Sequence, residues 1–183
     1  MLYLRENKNL IIRRALSLVF IFCCFLLQSS KVGIPEIFGI NAYILIPAVI
    51  CVGMFERETW GAIAGLFAGA LWDFIAARGQ GYHAVVLMIA GFLCGFLVRY
   101  MMRNNFMAAL CLCGGITLIH NVVFWLFYFV FARIDGAFFP LWRVYLPSVA
   151  YTLVFLPVMY FPVRAVAKAL RREPIGIDTQ EEE

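Results

Sequence analysis

The chain has 183 residues, of which 64% are hydrophobic and only 14% charged, and its mean hydropathy is +0.88. An ordinary soluble domain is about 45–50% apolar and about 25% charged, and a domain of this size still exposes roughly 30% of its unfolded surface. This excludes a soluble globular domain and a disordered chain, and leaves an integral membrane protein. The net charge of +4 comes from basic residues scattered between apolar runs, so no nucleic-acid surface is expected.

Crossing a bilayer takes about 20 apolar residues per helix. Six stretches qualify, at 10–27, 37–55, 59–77, 82–98, 106–131 and 144–163, which predicts an all-α, single-domain polytopic membrane protein over 1–183. The first stretch exits through Leu27-Gln28-Ser29-Ser30-Lys31, without a small-x-small cleavage pattern, and is read as a span rather than a signal peptide. The fifth is long enough to tilt or protrude. The short stretches outside the first and last spans leave no room for a terminal domain.

Arginine and lysine set the orientation. Arg5, Lys8, Arg13, Arg14, Arg57, Arg99, Arg103, Arg164, Lys168, Arg171 and Arg172 fall on one side, against Lys31, Arg78, Arg133 and Arg143 on the other. That excess puts both termini in the cytoplasm. Pro157 and Pro162 are expected to kink or end the sixth helix. Beyond them, residues 164–183 read as a basic amphipathic segment on anionic lipid, followed by an acidic tail. On the outer side, Phe138, Phe139 and Trp142 make a loop that is either an aromatic belt in the headgroups or a contact surface for a partner.

The third span carries Gly61, Gly65 and Gly69, then Asp73, at four-residue spacing, so all four lie on one helical face. The fourth carries Gly91 and Gly95, then Arg99. Such stripes let backbones approach closely. They serve either packing of these two antiparallel helices on each other or reception of a partner's helix. A carboxylate in a span is costly. Asp73 lies about a turn from the outer end, where Arg78 or His83 can pair with it, whereas Arg99 belongs with Glu58 at the opposite end.

Thr117, His120 and Asn121 form a polar patch in the fifth span, read as interhelical glue, a ligand-lined cavity or a proton path. The cysteines Cys23, Cys24, Cys51, Cys94, Cys111 and Cys113 all sit in apolar runs and read as free, packed thiols. The spacing of Cys111 and Cys113 does not suit zinc, and no metal or cofactor is expected. Ser148 is the one serine that could approach His120 within the membrane, but counting residues from the outer surface separates the two by roughly 10 Å in depth. With no P-loop or HExxH motif and no carboxylate pair, no enzymatic activity is expected.

The run Gly65-Leu66-Phe67-Ala68-Gly69-Ala70-Leu71-Trp72-Asp73, followed by Gly81-Tyr82-His83-Ala84, resembles the hallmark of the MreD family of rod shape-determining membrane proteins. A first helix ending in Leu27-Gln28 and a basic end after Tyr160-Phe161-Pro162 agree with it. The turn Arg78-Gly79-Gln80 departs from the family's small residues and proline. The resemblance implies a bacterial inner-membrane scaffold of the elongation machinery that builds side-wall peptidoglycan. It would bind a single-span MreC-like partner, in one complex with MreB, RodA and a class B transpeptidase. The family also looks like the six-helix substrate-binding subunits of energy-coupling-factor transporters, and a small-molecule transport subunit is the alternative. Against it, the docking face of such subunits finds a poor match in Ala15–Val19.

Overall fold

The computed structural model describes residues 2–30, 43–76, 81–101, 104–127 and 141–169, the side chains of 2–9, 141 and 142 excepted. The described residues form helices and no strand. These are α1 Leu2–Ser29, α2 Leu45–Phe55, α3 Glu58–Ile75, α4 Tyr82–Tyr100, α5 Phe106–Trp125 and α6 Leu146–Ala169, the last entered through a π-helical turn at Leu141–Tyr145. Four segments are long and apolar enough to cross a membrane: Leu10–Ser29, Tyr82–Tyr100, Phe106–Trp125 and Arg143–Ala169. The predicted second span survives as the 11 residues of α2, its first part lying outside the described residues. The third is the 18 residues of α3. Residues 128–140 and 170–183, with Phe138, Phe139 and most of the basic segment, also lie outside.

Consecutive helices run antiparallel, as contacts between their ends require. Arg13 near the start of α1 bonds Glu56 just past the end of α2, and Gln28 at the end of α1 bonds Leu45 at the start of α2. Glu58 opens α3 and meets Arg99 in the last turn of α4. Phe106 opens α5 and packs on Tyr160 and Phe161 far along α6.

The hub is α2, which has no polar face. Ten consecutive residues, Leu45 to Met54, are buried, and the helix touches all five others. A helix apolar on every side belongs inside a bundle. Its N-terminus is helped by Gln28, whose Oε1 accepts from the Leu45 amide at 2.9 Å, and Pro47 sits in the first turn, where a missing N–H costs least. By contrast α1 is peripheral, exposing Ile11, Val19 and Leu26 among others.

The tightest pair is α3 with α4. Gly61, Gly65 and Gly69 all face α4, and their backbone meets its backbone. A Cβ on Gly65 would fall on the Leu87 carbonyl, one on Gly69 on the His83 carbonyl and Ala84, and one on Gly61 would lie 2.5 Å from the Gly91 oxygen. Gly91 returns the contact onto Gly61, and Gly95 sits on Glu58. The stripe is therefore filled by the chain's own fourth helix. Gly53 of α2 completes the junction, since a Cβ there would lie 2.7 Å from the same Gly91 oxygen. Close approach of this kind replaces side-chain interdigitation with backbone dispersion contacts.

The bundle is polar at both ends and apolar between. At one end lie the Arg13–Glu56 pair at 2.6 Å, the Glu58–Arg99 pair at 2.7 Å and Asn104 donating to the Met54 carbonyl. The Glu58 carboxyl is held below the usual carboxylate range by its own backbone N–H and then by Arg99. The pairing of Arg99 with Glu58 matches expectation. Of the two effects expected of Pro157 and Pro162, a kink or an end, the end does not occur: the sixth helix runs through both to Ala169. A proline in a helix loses one hydrogen bond, and packing of the preceding turns (Leu156, Met159 and Tyr160 are buried) offsets that loss.

The glycine junction makes a sharp prediction. Replacing Gly65 by leucine places side-chain atoms on α4 backbone, and is expected to destabilise the bundle by about 3 kcal/mol or more. Gly115→Ala on α5, where an added Cβ meets nothing within 4 Å, is expected to be neutral or stabilising. Thermal unfolding in detergent, followed by helical circular dichroism, separates the two.

Candidate functional site

The notable chemistry gathers at the bundle end opposite Glu58. It begins with Gly81, which precedes α4 at φ 67, a left-handed conformation that glycine adopts without strain. Gly81 has no side chain to cap α4, so the orphan amides of its first turn need another acceptor. Asp73 of α3 supplies it. Its Oδ2 accepts from the Ala84 amide at 2.9 Å and its Oδ1 from the His83 amide at 3.2 Å. The His83 Nδ1 lies 2.8 Å from the same Oδ1. An ionised carboxylate only accepts, so this Nδ1 carries the proton. Of the two partners anticipated for Asp73, His83 is thus the one seen, and Arg78 lies outside the described residues.

Trp72, the neighbour of Asp73, stacks on the His83 ring with centroids 4.4 Å apart and planes 20° apart. His120 of α5 completes the cluster. It lies 5.6 Å from His83, 5.8 Å from Trp72 and 5.7 Å from Tyr82, ring centre to ring centre, with Tyr43 and Phe124 around it. The Tyr82 hydroxyl donates to the His120 carbonyl at 3.3 Å. The imidazole of His120 is buried, and its Nδ1 has no hydrogen-bond partner.

Thr117, His120 and Asn121 are all buried, and His120 and Asn121 face different neighbours. While His120 turns to α3 and α4, Asn121 turns to α6. Its Nδ2 donates to the Tyr145 carbonyl and to Ser148 Oγ, both at 2.9 Å, and Ser148 Oγ donates to the same carbonyl at 2.8 Å. Tyr145 ends the π-helical turn, where the backbone ladder changes register, and its carbonyl gathers these two side-chain donors. Asn121 Oδ1 is buried without a partner. The depth argument from sequence is therefore corrected. Ser148 stands level with Asn121, since its Oγ accepts from Asn121 Nδ2 at 2.9 Å. The hydroxyl of Ser148 bonds Asn121 and Tyr145.

The sequence alone assigns no role to Trp72, Tyr43, Gly53 or Gln28, or to the Arg13–Glu56 pair. The signals were present in part: Trp72 adjoins the one acid inside the third span, and Glu56 closes an apolar run whose antiparallel neighbour carries Arg13. All six cysteines are free, with Cys23 and Cys111 exposed and the others buried. Among the described residues no group of three histidine, cysteine or acidic side chains is placed to hold a metal ion.

Comparison of the chain with protein-family models, with curated proteins and with solved structures gives no match.

Asp73→Ala removes the acceptor of two amides at the α4 N-terminus and is expected to cost about 1–2 kcal/mol, as loss of a helix cap does. His83→Ala leaves both amide bonds in place and should cost less. Asn121→Leu leaves Ser148 as the remaining side-chain donor to the Tyr145 carbonyl and is expected to cost about 1–3 kcal/mol. Chemical or thermal unfolding of the three purified variants tests that order.

Proposed function

We propose that the chain is a non-enzymatic membrane scaffold of the machinery that maintains rod shape and directs side-wall peptidoglycan synthesis, acting in the manner of MreD and binding a single-span MreC-like partner. The observation that carries this reading is that the run bearing the resemblance, Gly65 to Ala84, works as one structural unit. Gly65 and Gly69 seat α3 on α4, Asp73 caps α4 and Gly81 shapes the entry to α4. Among its described residues, Asp73 bonds across the hairpin to His83 and to the Ala84 amide, which holds the pair rigid, as a scaffold needs. Asp73, Glu56, Glu58 and Ser148 are likewise engaged in internal bonds.

With the glycine stripe occupied by α4, the partner surface moves to the other side of the hairpin. On α4, Val85, Ile89, Phe92 and Phe96 are exposed and recur at alternating spacings of four and three. That is the pattern by which one helix packs along another. The outer loop bearing Phe138, Phe139 and Trp142 is the second candidate. In this reading all six helices cross the inner membrane of a bacterium, both termini are cytoplasmic, and RodA, MreB and a class B transpeptidase share the complex.

Co-purification from cells with the MreC-like protein tests the proposal. Phe92→Ala combined with Phe96→Ala is expected to lower the yield of the complex severalfold, at unchanged abundance of the chain. Unchanged yield would remove the hairpin face as the contact. Reporter fusions should place both ends on the cytoplasmic side; ends on opposite sides contradict six crossings.

A second reading has its own support. His120 Nδ1 and Asn121 Oδ1 are buried and unpaired, as in a site that awaits a hydrogen-bonding ligand, and this favours the substrate-binding subunit of a transporter. Extraction of the purified protein, with mass analysis of small molecules released, decides between the two.

A further inference from the structure

A cleft of about 240 Å³ opens between α1, α2 and α6, at the bundle end that carries the ion pairs. Leu16, Phe20, Val52, Phe55, Val163 and Val166 make its walls. The polar groups that reach it are already satisfied by the protein. Arg13 and Glu56 hold each other at 2.6 Å, and Ser17 Oγ accepts from Trp60 Nε1 at 3.0 Å while donating to the Arg14 carbonyl at 2.8 Å. No polar ligand gains a partner there, so the occupant is apolar.

Charge identifies the other half of the occupant. Arg164 and Lys168 lie on α6 beside the lining residues Val163 and Ala167, with Arg14, Arg57 and Arg99 at the same end of the bundle. Two acids with described side chains, Glu56 and Glu58, stand against these cations, and both are paired. Cations clustered at a membrane surface attract anionic headgroups. We infer that the cleft between α1, α2 and α6 binds one acyl chain of an anionic phospholipid, whose headgroup is received by Arg164 and Lys168 at its mouth. The inference rests on the reading of this chain as membrane-embedded with that end cytoplasmic, and is independent of its place in the elongation machinery.

The full chain is reconstituted in vesicles of phosphatidylglycerol and phosphatidylethanolamine at about one to three, the anionic lipid then being the minority component, as in many inner leaflets. It is then extracted in mild detergent and weighed by native mass spectrometry. One phosphatidylglycerol should remain bound. Ala167→Phe, which fills the cleft, should lower occupancy about tenfold, and Arg164→Glu with Lys168→Glu should abolish the preference for the anionic lipid. Because a filled cleft could impair folding, spin-labelled phosphatidylglycerol is also titrated against the unaltered chain. An immobilised fraction displaced by unlabelled phosphatidylglycerol, and not by phosphatidylethanolamine, supports the site. No retained lipid, equal retention in Ala167→Phe, equal retention of both lipids, or a retained polypeptide in place of lipid overturns it. Release of the chain from vesicles by alkaline carbonate would instead overturn the membrane reading itself.

Discussion

The carbonyl oxygens of Leu87 and Gly91 lie where the Cβ atoms of Gly65 and Gly61 would otherwise be. In lipid the apolar tails compete equally for any leucine, so burying apolar side chains drives helices together weakly. What remains is dispersion between closely packed atoms, which falls off steeply with a gap of half an ångström. Backbone against backbone gains these contacts without ordering long side chains. The pairing of α3 with α4 therefore fixes a reference plate, and Gly53 extends it to α2. The hub helix reaches that plate through the absence of a side chain, while its other faces present Leu45, Val49, Ile50 and Val52 to the remaining helices.

Asp73 follows from the same plate. Once α3 and α4 are in contact, the first amides of α4 are fixed a short distance from the last turns of α3. Four amides at a helix N-terminus lack partners, and in a membrane an unsatisfied one costs several kcal/mol. A carboxylate accepting from two of them, beside the positive end of the helix dipole, offsets the cost of placing an acid there. The histidine and tryptophan are then drawn in by position. His83 is the second residue of α4 and meets the carboxylate, and Trp72 precedes Asp73 and covers the imidazole. The site is the end of the glycine contact, closed off.

Much of this was legible in the residues, for physical reasons that differ from one element to another. The four-residue glycine spacing places Gly61, Gly65, Gly69 and Asp73 on one face in any straight helix, and a short connection makes α3 and α4 neighbours. The partner of Arg99 was legible for the same reason, since antiparallel neighbours bring Glu58 to it. The position of α6 was not. The register of one helix along another is set by the connection between them, which a residue count from the surface does not give, and Ser148 lies at the level of Asn121. Nor could periodicity reveal α2 as the hub, since a run apolar on every side has no face to read. Pro157 and Pro162 do not end α6, because the hydrogen bonds they forgo are outweighed by the packing of Leu156, Met159 and Tyr160.

Rigidity and openness divide this molecule by helix. Helices α2, α3 and α4 are locked by glycine and by a cap, and the polar groups between α5 and α6 meet at Tyr145. The contact of α1 with its neighbours is looser: many of its apolar side chains are exposed, and its polar ties are Gln28 at its end with Arg13 and Ser17 near its middle. The cleft opens at the latter, with Arg13 and Ser17 among its lining. A helix held at these two levels does not close the gap by bending, because the Arg13–Glu56 pair and the Gln28–Leu45 bond set its distance from α2. In lipid an empty gap forfeits dispersion contact along both walls, so the surrounding acyl chains fill it. The same geometry that makes α3 and α4 a closed face thus leaves α1 as the side on which the bundle takes in its solvent.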